Sequence, residues 1–283
     1  MEPEKNSKKN PYNFNNKLLT RDFIVNLFYE YNIGIMPIDI SVYQNAFIHK
    51  SYSLTKNNLE DIVDKPDGAL ELMNIDNERL EFLGDSILSF VVAKYLYERY
   101  PKQNEGFLTK LRTKLVNGDA LCYFSQELGF GEYIIMSRYI EDKCNGRKST
   151  NILEDVFESF IGSMFLDFNK KEIPNTDLYS GFGFHICEKF LINLIEEKVD
   201  FEDLITTDTN YKEQIFRYFQ TTYHKYPSFR HISCVNEGNK KTFTVEICSH
   251  DGKTISQGGG NTKKKAEQNA SKNALIHLKI INI

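Results

Sequence analysis

The spacing of apolar residues changes character once along this chain, and the change divides it. From about Leu19 to Lys198 the apolar positions recur at three and four residues, as in Ile87, Phe90, Val91 and Tyr95, or Phe157, Phe160, Ile161 and Met164. Such spacing lays apolar groups along one side of a helix, so this part is expected to be all-α. Helix breaks are marked by Tyr100-Pro101, Asn117-Gly118, Leu128-Gly129-Phe130-Gly131 and Asn145-Gly146, and long loops are expected over residues 55–77 and 168–183. Further on, Phe243, Val245 and Ile247 alternate with Thr244, Glu246 and Cys248, the period of a half-buried strand. A helix over 211–223, strands over 231–235, 242–248 and 253–257, a Gly258-Gly259-Gly260 stop, and a helix opened by Thr262 and running to about 279 are predicted there. The result is a multidomain chain: an all-α domain over 19–199, a polar linker over 200–209 and an α+β module of order α-β-β-β-α over 210–280. Residues 1–18 are polar and rich in Asn and Lys, and are expected to be a disordered tail.

Charge follows the same division. The net charge is −4, yet from Thr206 onward twelve Lys and Arg face six Asp and Glu, leaving −10 on the rest. A basic C-terminal part beside an acidic body suits a polyanion on the former and a cluster of carboxylates on the latter. No apolar run approaches the roughly 18 residues that cross a bilayer, so no membrane partner is expected. The five cysteines, Cys122, Cys144, Cys187, Cys234 and Cys248, include no C-x-x-C pair. They are read as buried or half-buried thiols of an intracellular, cytoplasmic protein, with the nucleus not excluded.

The acidic residues with the most to say lie in two apolar helices. Glu78, Glu81 and Asp85, flanked by Leu80, Phe82, Leu83, Ile87 and Leu88, are three and four residues apart and share one helix face. Asp155 and Glu158 do the same in the second helix. Carboxylates in apolar surroundings require a cation or a hydrogen-bond partner. If the helices cross, their oxygens suit Mg²⁺ or Mn²⁺, which prefer hard ligands. Gly84 and Gly162 sit in mid-helix, where glycine costs about 1 kcal/mol relative to alanine, and so point to close helix approach.

The string Asn77 to Leu88 is similar to the signature of the ribonuclease III family, and Gly146 to Asp167 resembles that family's second block. Ala46 to Tyr52 and Glu105 to Leu121 resemble two further family motifs in the right order. The resemblance implies an endoribonuclease that hydrolyses double-stranded RNA with Mg²⁺, for which Mn²⁺ substitutes, leaving 5′ phosphates and short 3′ overhangs. Glu81, Asp85, Asp155 and Glu158 match the catalytic, metal-binding carboxylates, while Glu78 and Glu105 match acidic positions tied to substrate handling or subunit contact. His49 also matches a family position and is assigned to helix packing. Family members work as homodimers, with Phe82 and Leu83 available to an interface. The rival reading is a catalytically silent protein that sequesters duplex RNA.

The C-terminal segment resembles a double-stranded RNA-binding domain, from Asn210-Tyr211-Lys212 to the Thr262-Lys263-Lys264-Lys265 helix start. The resemblance makes Thr262, Lys263, Lys264 and Lys265, with Asn239 and Lys240 in the first strand loop, the RNA-contacting set. Two positions depart from the family pattern. Phe216-Arg217 stands where a Gln-Glu pair is usual, and Asn236-Glu237-Gly238-Asn239 lacks the usual proline and histidine.

Overall fold

The computed structural model describes residues 10–54, 62–169, 181–206, 210–237 and 240–281, with the side chains of Glu237 and Lys240 also left out. The chain divides into two compact units, Met1–Phe201 and Glu202–Ile283.

The first unit is helical, as the spacing predicts. It contains α1 (Arg21–Glu30), α2 (Ile40–Ala46), α3 (Glu78–Arg99), α4 (Glu105–Leu115), α5 (Gly118–Glu127), α6 (Arg138–Cys144), α7 (Thr150–Phe168) and α8 (Gly183–Lys198), with short 3₁₀ turns between them. The breaks have local causes. Asn104 and Asn117 cap α4 and α5 by accepting from Phe107 N at 3.0 Å and Ala120 N at 2.9 Å. Gly129 and Asn145 adopt the left-handed conformation, with φ of 69° and 51°, that turns the chain after α5 and α6.

Helix α7 runs through the centre, burying Val156, Phe157, Phe160, Ile161 and Met164. Phe130, Phe157, Phe160 and Phe190 stack around it with centroid separations of 4.9 to 6.5 Å. At its far end the buried Asp167 accepts from Ile38 N at 2.9 Å, Asp39 N at 2.8 Å and the Tyr43 hydroxyl at 3.0 Å, so its charge is matched by donors. Helix α3 crosses α7 where Gly84 faces Gly162. A Cβ on Gly84 would overlap the Glu158 carbonyl, and one on Gly162 would overlap that of Leu80. The mid-helix glycines therefore exist for backbone approach. Helix α3, one of the two apolar helices expected to carry the carboxylates, is buried on one side only. It buries Ile87, Leu88, Val91, Val92, Tyr95 and Leu96, while Phe82, Phe90 and Tyr97 stand exposed on its other side.

The expected tail is corrected over its described part. Tyr12 is buried and meets the Tyr52 ring edge-on at 6.4 Å. Asn13 and Asn16 are buried and donate to the Met136 carbonyl at 3.1 and 3.0 Å. Arg147 fastens this strap, donating to the carbonyls of Gly131, Ile134 and Asn15 at 3.0 to 3.2 Å while pairing with Glu141. Amide and guanidinium partners leave no apolar period, so the sequence pattern gives no sign of them. Residues 1–9 lie outside the described residues, as do 55–61 and 170–180 within the expected loops. Residues 62–73 are anchored: Ile62, Ala69 and Leu72 join Tyr12, Ile48, Tyr52 and Ile135 in a small core of their own.

The second unit keeps the predicted order. The division between the units falls within the expected 200–209 linker, where a short helix, α9 (Phe201–Thr206), forms, while 207–209 lie outside the described residues. Then come α10 (Tyr211–Tyr223), β1 (Ser228–Glu237), β2 (Lys240–Cys248), β3 (Thr254–Gly260) and α11 (Lys263–His277). The sheet is antiparallel in the order β1-β2-β3. Ile215, Phe219, Ile247, Ala270, Ala274 and Leu275 form its core against the helices. The glycine run does not end the sheet. Gly258, Gly259 and Gly260 pair with Val245, Thr244 and Phe243. A Cβ on Gly260 would come 2.6 Å from Ala266 N, and one on Gly258 would overlap Ala270 N. Glycine here lets α11 lie on the strand. All five cysteines are free, but Cys144 and Cys234 are exposed, not buried, because α6 buries none of its residues and Cys234 lies on an exposed stretch of β1.

A methyl group at the crossing has nowhere to go. Gly162→Ala is expected to lower stability by about 1–3 kcal/mol despite alanine's better helix propensity. Urea unfolding of wild type and variant measures this, and equal or higher stability in the variant would refute the close-contact account.

Candidate active site

The start of α3 is pinned from two sides. Asn77, buried just before it, donates from its backbone to the Ile48 carbonyl at 2.9 Å and from its amide to that of Ala46 at 3.3 Å. Its own carbonyl accepts from Ser159 of α7 at 3.2 Å. The first turns of α3 and α7 thereby flank one pocket of about 510 Å³, lined by Lys50, Glu78, Glu81, Asn151, Glu154, Asp155 and Glu158.

Of the acids picked from the sequence, Glu78, Glu81, Asp155 and Glu158 come together here. Asp85 is not among the lining residues. It is exposed one turn further along α3 and accepts from the Ser89 hydroxyl at 3.4 Å. Glu105 also lies apart, exposed at the start of α4 and accepting from the Thr109 hydroxyl at 2.9 Å. Three lining residues were missed: Lys50, Asn151 and Glu154. The signal for two of them was present, because Asn151, Glu154, Asp155 and Glu158 follow i, i+3, i+4, i+7 and occupy one face of α7.

The pocket is electrostatically loaded. Burial, followed by Asp85, Glu154, Glu81 and Asp155, pushes the Glu158 carboxyl up to about 8. Burial and then Glu154 push Asp155 up to about 6. Glu81 and Glu154 are raised too, each first by burial and then by a neighbouring carboxylate. Lys50 is the cation among the described lining residues, and its ammonium sits 2.9 Å from Glu78. Such a set lacks positive charge. Among the described residues no three Asp, Glu, His or Cys side chains are gathered tightly enough to hold a metal ion in the rotamers they adopt. The donor chemistry nonetheless fits a hard divalent cation: oxygen ligands, mutual repulsion and a half-buried setting on two rigid helices.

Beside Lys50, His49 is 9% exposed and caps a 3₁₀ turn, its Nδ1 accepting from Ser51 N at 3.2 Å. Burial, followed by Lys50, pulls its pKa down to about 4. This is a packing and capping role, as expected.

On the second unit, Thr262 caps α11 by accepting from Lys265 N at 3.1 Å. Lys263, Lys264 and Lys265 are exposed around that terminus, where free N–H groups also favour an anion. Asn239 and the side chain of Lys240 lie outside the described residues. The departure at Phe216-Arg217 has a structural account. Phe216 stacks on Phe229 at 6.0 Å and meets Tyr226 at 5.8 Å, while Arg217 is exposed and pairs with Glu213 at 2.7 Å.

Comparison with known proteins identifies both parts. Residues 78–169 match the ribonuclease III domain and residues 211–278 the double-stranded RNA binding motif. The chain is 33% identical to ribonuclease 3 of Streptococcus gordonii across 85% of this chain and 91% of that protein. It is 30% identical to a probable ribonuclease 3 of Acanthamoeba polyphaga mimivirus over 92% of this chain, though it spans only 46% of that longer protein. Among solved structures, the nuclease domain of ribonuclease III from Campylobacter jejuni is similar, at 29% identity over 62% of this chain and 96% of that one, with a TM-score of 0.46. The chain belongs to the ribonuclease III family, endoribonucleases that act on double-stranded RNA. The C-terminal motif makes double-stranded RNA its partner.

Because His49 is held neutral in the fold and ionises freely when unfolded, its contribution is present above pH 6.5 and is lost as pH falls towards 4. The raised carboxylates act in the opposite sense, so the test is a difference between proteins. At pH 4.5 relative to pH 7, wild type is expected to lose about 2 kcal/mol more than His49→Asn, which keeps a capping acceptor without the titration. Calorimetric unfolding at both pH values measures it, and parallel losses would refute the assignment.

Proposed function

We propose that the acidic pocket is a divalent-metal centre, with Mg²⁺ as the resident ion and Mn²⁺ able to replace it. Glu81, Asp85, Asp155 and Glu158 hold the ion. The observation that carries this reading is the meeting of α3 and α7 acids in one half-buried pocket above a glycine crossing. When bound there, a divalent ion supplies an activated water and polarises the scissile phosphate. The chain's own residues do the rest. The two helices set the spacing of the carboxylates, their charges balance the cation, and the Lys50–Glu78 pair supports the mouth of the pocket. A rotation of Asp85 from its Ser89 contact brings its carboxylate towards Glu158, whose charge it already influences.

Duplex RNA is held by the exposed lysines at the start of α11, which track phosphate and shape instead of base sequence. Asn239 and Lys240 extend this contact. With Phe216 turned into aromatic packing, α10 offers Arg217 as its polar contact. Glu78 and Glu105 support substrate placement or subunit contact. The working form is a homodimer, so that two pockets cut opposite strands and leave 5′ phosphates with short 3′ overhangs. The exposed apolar side of α3, with Phe82 78%, Phe90 61% and Tyr97 72% exposed, supports such an interface. Five free cysteines suit a reducing, intracellular compartment.

Purified protein with Mg²⁺ is expected to shorten long duplex RNA, and Glu158→Gln to cut at least about 100-fold more slowly while retaining the RNA in a gel shift. Retention without cleavage by both proteins would replace this reading with that of a silent duplex-RNA binder. Lys263→Ala with Lys264→Ala is expected to weaken binding and reduce the salt slope of log affinity by about 2. An unchanged slope would place the phosphate contact elsewhere.

A further inference from the structure

Glu154 is the lining carboxylate that the family resemblance does not assign. It stands between Asn151 and Glu158 on the pocket face of α7, and it contributes to the same cavity wall as Glu81, Asp155 and Glu158. What sets it apart is a support on a third element. Its carboxylate lies flat against Gly118, the first residue of α5, so closely that a Cβ there would come 2.5 Å from Glu154 Oε2 and 3.0 Å from Oε1.

Gly118 has no other reason to be glycine. Gly118 does not adopt positive φ, so its backbone demands nothing that alanine lacks. Apart from the Glu154 carboxyl group, its Cβ position meets no atom within 3.0 Å. At the first position of a helix, glycine gains nothing over alanine in propensity. Its use is to leave room for the Glu154 carboxylate. The same α5 terminus is fixed by the Asn117 cap on Ala120 N at 2.9 Å. The Glu154 carboxylate thus packs against α5 and is only partly exposed.

We propose that Glu154 is a further carboxylate of the divalent-cation site, positioned from the α5 side by Gly118. This rests on the metal reading of the pocket. Like Asp155 and Glu158, Glu154 comes from α7, and its contact with Gly118 ties that wall of the pocket to α5. It places one more hard oxygen donor beside Asp155 and Glu158, either on the ion or on its water.

The test reads Mn²⁺ affinity of the full-length protein without RNA, by electron paramagnetic resonance of free Mn²⁺, with circular dichroism melts run on each variant without metal. Glu154→Gln is expected to weaken binding roughly 10-fold. Gly118→Ala, which leaves every charge in place, is expected to weaken it in the same direction by displacing the Glu154 side chain. Added to Glu154→Gln, Gly118→Ala should have little further effect. Asp119→Asn, which removes a nearby charge outside the pocket wall, is expected to change affinity by less than about 2-fold, the effect of screened charge alone. Glu158→Gln serves as the reference. If it fails to weaken Mn²⁺ binding, the metal reading itself is wrong. If Glu158→Gln weakens binding but Glu154→Gln does not, the assignment of Glu154 alone is overturned. Equal losses from Asp119→Asn and Glu154→Gln overturn it as well, since general charge then explains both.

Discussion

Two glycines facing each other set the distance between α3 and α7, and the acidic pocket depends on that distance. Gly84 and Gly162 let one helix's carbonyl occupy the space of the other's missing side chain. Everything acidic follows from there, because both helices present their carboxylates on the turns beside the crossing. Larger residues would separate the axes, and side chains a few ångströms long do not span much additional separation. The aromatic packing of Phe130, Phe157, Phe160 and Phe190 around α7 then makes the spacing rigid. A site that concentrates like charge needs such a frame, since its own electrostatics push it apart.

Much of this was legible in the sequence, and the reasons are specific. Acids at i, i+3 and i+4 and mid-helix glycines pointed to two helices in close approach, and the family resemblance singled out Glu81, Asp155 and Glu158, which line one pocket. Thr262 as a cap was equally visible, because capping is a local rule. What escaped was non-local or two-sided. Lys50 enters the pocket from a segment ahead of α3. The order and burial of Tyr12, Asn13 and Asn16 come from hydrogen bonds and ring contacts to distant residues. Gly258 to Gly260 read as a stop because a glycine run usually ends a strand, whereas the approach of α11 makes the same residues part of one. Phe82, Phe90 and Tyr97 fit the apolar period of α3, but a period does not say which side has a neighbour.

The two units divide the work along the charge boundary seen in composition. The helical unit gathers carboxylates around a pocket and the α+β unit exposes lysines at a helix start. Each arrangement is unfavourable alone, through repulsion among acids in one and lysines opposing a helix dipole in the other. A cation would relieve the first and a phosphate backbone the second, each a ligand of sign opposite to the unit's own charge.

The strap before α1 carries a consequence for how the chain acquires this fold. Asn13 and Asn16 bond to Met136, 123 and 120 residues downstream, and Arg147 closes over them from still further along. At a synthesis rate of about 5–20 residues per second, the strap waits roughly 6–25 seconds before its partners exist. During that interval its anchors at Met136 and Arg147 are absent, while Tyr12 already has Ile48, Tyr52 and Leu72 as neighbours and lacks only Ile135 of its small core. The part of the domain made first is therefore among the last to be fastened, and its docking reports that the segment from Met136 to Arg147, which carries α6, has already folded.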